Sequence, residues 1–171
     1  EGADASKYSV KTSVWNPNGQ KLTEQTIPLS QIKYNDNSLS QEFIIQTPTL
    51  WSPDMPALYS AETRLYEGDQ LKDIYTTPFG IRSIEIIPNK GFFLNGEKTV
   101  FKGVCNHHDL GPLGAAVNDA AIRRQIRILK DMGCNAIRTS HNMPAPELVR
   151  ACDEMGMMLM VESFDEWNKA K

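Results

Sequence analysis

The 171-residue sequence has only three cysteines, no long apolar run and no excess of positive charge. Each shortage removes a class of protein. Cys105, Cys134 and Cys152 are odd in number, widely spaced and set among apolar neighbours. Neither a disulfide framework nor a paired zinc motif can be built from them, so buried free thiols are the default reading. The longest apolar run, Met157 to Val161, falls far short of the ~18 residues of a membrane-spanning helix, and no membrane partner is expected. Lys and Arg number 18 against 21 Asp and Glu, a net charge of −3. No broad basic surface awaits a phosphate backbone. Arg123, Arg124, Arg127 and Lys130 do cluster, but at the spacing of a solvated helix face, so no nucleic-acid partner is expected. The opening, EGADASKYSV, lacks the charged-then-apolar pattern of a signal peptide. It reads as polar loop, as if cut from something longer, which leaves the compartment open between periplasmic or secreted and cytoplasmic. The composition, 40% hydrophobic and 23% charged, is that of a globular chain and too apolar for disorder.

The first half reads as β-structure. Lys7–Trp15, Gln41–Gln46, Ala57–Tyr66 and Leu71–Thr77 are short and rich in Val, Ile, Tyr, Thr and Phe. Turn signals separate them: Asn16-Pro17-Asn18-Gly19, Asn35-Asp36-Asn37-Ser38, Ser52-Pro53-Asp54 and Glu67-Gly68-Asp69. From Tyr59 to Tyr66, Tyr59, Ala61, Thr63 and Leu65 alternate with polar or larger neighbours, a period of two with one face inward. Strands at this spacing without helical segments predict an antiparallel sandwich, here with about five or six strands where an immunoglobulin-like domain has about seven. The expectation is an incomplete sandwich over residues 1–87.

Past Ile87 the pattern changes. Asn95-Gly96 between two apolar runs signals a hairpin, and Thr99–Cys105 reads as a strand running into Asn106-His107-His108-Asp109. Ile122, Ile126, Leu129 and Met132 then recur at helical spacing, with Asn118 or Asp119 to cap the start and Gly133 to close. Asn135–Thr139 is a second strand, ending at Ser140-His141. Pro146-Glu147 opens a helix in which Leu148, Cys152 and Met155 share a face, and Gly156 ends it. Met157–Val161 is a continuous apolar strand of the type buried on both faces of a parallel sheet. Residues 99–171 therefore read β-α-β-α-β, the grammar of a parallel sheet.

Three histidines and a glutamate fall where such strands end: His107 and His108 after the first, His141 after the second, Glu162 after the third. Active sites of parallel α/β folds gather at the carboxyl ends of strands. No glycine-rich phosphate loop follows the first strand, which favours a barrel over a doubly wound sheet. Each residue has a plainer role available: a loop histidine with a backbone hydrogen bond, Glu162 in a salt bridge to Arg138, Asp109 capping its loop. Two chemistries suit the combination. A metal held by His107, His108, Asp109 and His141 would activate water, but adjacent histidines on an extended segment point to opposite sides. Alternatively the same groups hydrogen-bond the hydroxyls of a sugar, with Trp167 as a stacking platform, while paired carboxylates cleave the glycosidic bond.

The run Phe101-Lys102-Gly103-Val104-Cys105-Asn106-His107-His108-Asp109, then Arg138-Thr139-Ser140-His141, then Val161-Glu162-Ser163-Phe164-Asp165-Glu166-Trp167 resembles glycoside hydrolase family 2. That family holds β-galactosidases, β-glucuronidases and β-mannosidases. Leu50-Trp51-Ser52-Pro53, Pro56-Ala57-Leu58-Tyr59 and Phe79-Gly80-Ile81-Arg82 are similar to its join between an immunoglobulin-like domain and a catalytic TIM barrel, and Phe92-Phe93-Leu94-Asn95-Gly96 to its barrel-entry hairpin. Single motifs are weak; five in order over nearly the whole chain are strong. The resemblance implies a retaining glycosidase whose two catalytic glutamates, acid/base and nucleophile, sit on later strands. A full (β/α)8 barrel takes about 250 residues, and residues 88–171 supply only its N-terminal part, so the chain reads as a fragment that is inactive alone. The resemblance further implies that His107, Asp109, His141 and Glu162 contact the sugar. It implies no cofactor for this chain, with room for a divalent or sodium ion in the whole protein. His108 stands where many members have Glu, Asn142-Met143-Pro144 replaces a Tyr-Pro, and Val161-Glu162 replaces Asp-Glu. These departures bear on which sugar is bound. A β-galactoside is the expected substrate, with glucuronide and mannoside behind it. The rival classes are a non-catalytic carbohydrate-binding module and a metal-dependent barrel hydrolase. Open sheet edges predict self-association into a homo-oligomer.

Overall fold

The computed structural model describes residues 4–31 and 38–164. Of the features read from the sequence, the turn at Asn35-Asp36-Asn37 and the residues Asp165, Glu166 and Trp167 lie outside them. The chain divides into two compact units, one of residues 1–49 and 58–81, the other of residues 50–57 and 82–171.

The first unit is one antiparallel sheet of four strands, β1 (Tyr8–Trp15), β2 (Lys21–Pro28), β3 (Tyr59–Glu67) and β4 (Gln70–Phe79), in the order β2-β1-β3-β4. The turn at Asn16–Gly19 joins β1 to β2: the Asn16 Oδ1 accepts from the N–H groups of Asn18 and Gln20. A second tight turn at Gly68-Asp69 joins β3 to β4. Four strands among the described residues are fewer than the five or six expected. Gln41–Gln46 forms no strand. Its residues do alternate, with Gln41, Phe43 and Ile45 half-buried and Ile44 84% exposed. What it lacks is a backbone ladder. The Gln41 side chain bonds the strands instead, accepting from Thr12 Oγ1 at 2.5 Å and donating to the Gln25 carbonyl. Conversely, β2 gave no apolar signal, because Lys21, Glu24 and Gln25 suit an exposed edge. The inward face expected of β3 is also weaker than its pattern: Tyr59 is buried and the rest of the strand is half-buried on both sides. A sheet buries one face only where a second layer covers it.

The second unit opens with a small antiparallel sheet of β5 (Ile84–Ile87), β6 (Gly91–Leu94) and β7 (Glu97–Lys98). Asn95 and Gly96 link β6 to β7 with φ of 53° and 81°, the paired positive values a type I′ hairpin turn requires. The parallel sheet follows: β8 (Gly103–His107), β9 (Ala136–Ser140) and β10 (Met158–Met160), in the order β10-β9-β8, with α1 (Asp119–Asp131) and α2 (Pro146–Met155) between them in sequence. Asn118 caps α1 by accepting from the Ala121 N–H, and α2 ends where Gly156 takes φ 73°.

Ile122, Ile126, Leu129, Ile137, Ala151, Cys152 and Met157 form one buried cluster between the helices and the sheet, with Val104, Leu148, Met155 and Leu159 packed against it. Side chains alternate along strands, so Val104, Ile137 and Leu159 face the helices while Cys105, Arg138 and Met160 face the other way. Fully burying each large aliphatic side chain contributes about 1.5–3 kcal/mol. Three expectations are corrected here. Met132 is 69% exposed because α1 ends at Asp131 and Met132 is its C-cap. The third strand is buried only at Met157 and Met158; Met160 and Val161 are exposed because β10 is the edge of the sheet. The first strand is Gly103–His107 rather than Thr99–Cys105, so His107 is its last residue and not a loop residue.

Segment 50–57 packs within this unit. The Trp51 Nε1 donates to the Asp153 carbonyl at 2.8 Å, the Arg82 guanidinium lies 5.0 Å from the Trp51 ring centre, and Lys130 Nζ donates to the Pro53 and Gly156 carbonyls.

Candidate active site

β8, β9 and β10 end side by side, and the polar residues that follow from their register sit together. Cys105 pairs with Arg138 and His107 with Ser140 across β8 and β9, while Met160 pairs with Arg138 across β9 and β10. Two residues beyond Met160, the chain places Glu162 beside the end of β9. Its N–H donates to Thr139 Oγ1 at 3.1 Å.

Three of the four residues expected at the sugar are brought together. The rings of His107 and His141 meet edge to face with centres 5.4 Å apart. The His141 Nδ1 lies 2.9 Å from Glu162 Oε2. Glu162 Oε1 accepts from Arg138 Nε at 2.5 Å and also pairs with Arg138 Nη2. The salt bridge weighed as the plainer role of Glu162 is therefore present, and the same carboxylate also holds the histidine. Burial pushes the Glu162 carboxyl up, but the hydrogen bonds from His141 and Arg138 outweigh it and hold the group below the usual carboxylate range. The Ser140–His141 peptide is cis.

Asp109, the fourth, is held in its own turn. Its Oδ1 accepts from the Gly111 N–H at 2.8 Å, and its N–H donates to the His107 carbonyl. The loop cap considered from the sequence is what these bonds make. His108 lines a cleft that His107 shares, together with Asn106, Gln125, Met143 and Leu148; the Asn106 and Gln125 amides bond each other. Among the described residues no group of three or more His, Cys, Asp or Glu is placed to hold a metal ion. Apart from its place in the run Arg138-Thr139-Ser140-His141, the sequence suggests Arg138 only as a salt-bridge partner. Its position two residues before Ser140, on the same side of β9, is the signal that would have drawn it into the site.

The arrangement offers hydrogen-bonding groups of both polarities around the strand ends: imidazoles that donate or accept, and a carboxylate already matched by a guanidinium. Such groups bind hydroxyls. Comparison with known proteins bears on which chemistry they serve. Residues 1–82 match the model of "Glycosyl hydrolases family 2" and residues 85–168 that of "Glycosyl hydrolases family 2, TIM barrel domain". A β-galactosidase, BoGH2A of Bacteroides ovatus, is 52% identical over 132 residues, which cover 77% of this chain and 16% of that protein. A putative β-glucuronidase of Formosa agariphila is 44% identical over 130 residues, covering 76% of this chain and 13% of its own length. The crystal structure of a β-glycosidase from Bacteroides vulgatus superposes with a TM-score of 0.84 at 40% identity, covering all of this chain and 21% of that one. The chain thus spans about a sixth of the length of the curated relatives it matches.

Proposed function

The chain belongs to glycosyl hydrolase family 2, and from that premise we propose that it is part of a retaining glycosidase acting on terminal β-galactosides. The observation that carries this reading is the convergence of His107, His141 and Glu162 at the ends of three adjacent parallel strands. That is where barrel enzymes keep their substrate sites. In this reading the chain supplies one wall of the pocket for the terminal sugar. His107 and His141 bond its hydroxyls, and Asp109, two residues past His107, offers a carboxylate at the rim. The acid/base and nucleophile glutamates belong to other strands, so these 171 residues alone are inactive.

The charge balance favours a neutral sugar. Arg138, the cation of the cluster, has both its Nε and its Nη2 on Glu162. A glucuronide brings a carboxylate that would need a cation to meet it. The β-glucuronidase relative keeps that substrate as the second reading, with a mannoside third.

The test is an assay of the whole protein on nitrophenyl β-galactoside, β-glucuronide and β-mannoside, with the 171-residue chain beside it. Turnover of the galactoside by the whole protein only is the expected result. Preference for the glucuronide would replace the substrate, inactivity on all three would favour a binding module, and turnover by the short chain would overturn the assignment of the catalytic glutamates elsewhere. Alanine at His107 or His141 is expected to lower kcat/KM on the order of a hundredfold, as the loss of a donor that stabilises the transition state does. The unpaired edges of the strands also support self-association, which light scattering on the purified chain would register.

A further inference from the structure

Among the described residues, Glu162 bonds only to β9 and the residue that follows it. Its N–H is on Thr139, one carboxylate oxygen is on Arg138 and the other is on His141, three residues of a four-residue stretch at the end of β9. Its side chain is only 19% exposed, against 34% for His141 and 44% for Arg138. A group used this fully by the protein makes a poor direct ligand for a sugar and a good splint. We propose that Glu162 is a positioning residue for His141, which it holds with the proton on Nδ1, and that His141 rather than Glu162 meets the substrate.

The chemistry follows from the donor inventory. An ionised carboxylate only accepts hydrogen bonds, so the nitrogen 2.9 Å from Glu162 Oε2 must be the one carrying a proton. Arg138 keeps that carboxylate ionised by pairing with its other oxygen. Which ring nitrogen of a histidine is protonated is set by the bond the other one makes, so Glu162 decides what the Nε2 edge of His141 can do. Fixing Nδ1 also fixes the plane of the ring, and with it the edge-to-face contact with His107. Arg138 acts one step further back, as the group that orients Glu162.

This inference rests on the glycosidase reading only for the identity of the ligand, and two measurements separate the two. The first needs no activity. In the whole protein labelled with [15N]histidine, with the His141 signals assigned by H141Q, the neutral ring of the wild type is expected to carry its proton on Nδ1. Glu162→Ala is expected to move it to Nε2 or to a mixture. An Nε2 proton in the wild type overturns the proposal, whether or not the variant folds. The second is a double-mutant cycle in kcat/KM. E162A is expected to lose on the order of tenfold in the wild-type background and to change the H141A enzyme by no more than about twofold, because a splint has no effect once its histidine is gone. Equal losses in both backgrounds would mean that Glu162 touches the substrate itself, and would overturn the proposal. A protein that leaves β-galactosides untouched but shows the Nδ1 proton would remove the proposed function and support the splint.

Discussion

The two units face the same requirement, to remove apolar surface from water, and meet it unequally. In the second unit two helices cover one face of the parallel sheet, and seven residues from α1, β9, α2 and the approach to β10 close into one cluster. In the first, the buried residues among those described are Thr12, Ser13, Val14 and Tyr59, two of them polar. Leu22, Leu71, Ile74 and Tyr75 remain exposed. Its strands are tied instead by side-chain bonds: Thr12 to Gln41 and Thr63, and Glu24 to Ser13, Lys11 and Lys21. Exposed ion pairs contribute about 0–1 kcal/mol each, well below a buried aliphatic side chain. A sheet satisfies its backbone by pairing strands, but only a covering layer makes its side chains stabilising.

The sharpest way to break this contrast is Gly103→Ala. A Cβ there would collide with the backbone carbonyl of Ala136 on the adjoining strand, which cannot yield without parting β8 from β9. A loss of more than about 4 kcal/mol is expected, seen as disappearance of the cooperative transition of the second unit. Retention of that transition within about 1 kcal/mol of wild type would refute the close approach.

Next in size, Ile126→Ala empties a fully buried site at the centre of the cluster and should cost about 3–5 kcal/mol in chemical denaturation. Val14→Ala in the first unit should cost about 1–2 kcal/mol. Equal losses would erase the difference between the units.

A pH titration acts on the first unit specifically. Hydrogen bonds from Lys11, then Ser13 and Lys21, lower the Glu24 carboxyl from 4.5 to about 2. Because the folded value lies below the unfolded one, the stabilisation is fully present above about pH 4.5 and fades as pH falls toward 2. Protection of the β1 and β2 amides, measured against the intrinsic exchange rate at each pH, should fall over that window while the apolar cluster of the second unit stays protected. Unchanged protection down to pH 2 would show that these pairs contribute nothing.

The smallest effect is one of access and costs no stability. Cys105 is exposed, whereas Cys152 is buried in the cluster and its thiol is pushed up to about 12, by burial first and then by the Asp153 charge. A maleimide at pH 8 should label Cys105 in the native protein and Cys152 only after the second unit unfolds. Equal labelling rates would mean that the cluster opens readily.

The sequence was most legible where a signal lies within a turn or two of its effect. Asn118, Gly156, the Asn95-Gly96 turn and the stripe Ile122, Ile126, Leu129 all act on their own element, and each was found where it was expected. β2 was not legible, since its Lys, Glu and Gln residues carry no apolar pattern. Gln41–Gln46 carried a strand's alternation without a partner to pair with. The positions of His107, His141 and Glu162 at strand ends were legible because chain order alone sets them there. The bond from Trp51 to Asp153, 102 residues apart, could not be read in any window.

By itself, then, the sequence determined the β-rich first half, the alternating second half and the polar residues gathered at the strand ends. These follow from local periodicity, capping and turn chemistry, which act over a few residues. Tertiary structure alone decided who holds whom. The register that sets His107 against Ser140 and Met160 against Arg138 brings His107, Arg138, His141 and Glu162 together, while the bond from the Gly111 N–H keeps Asp109 in its own turn. A hydrogen bond forms only within about 3 Å, and whether two distant residues come that close depends on how strands pair, which no local pattern states.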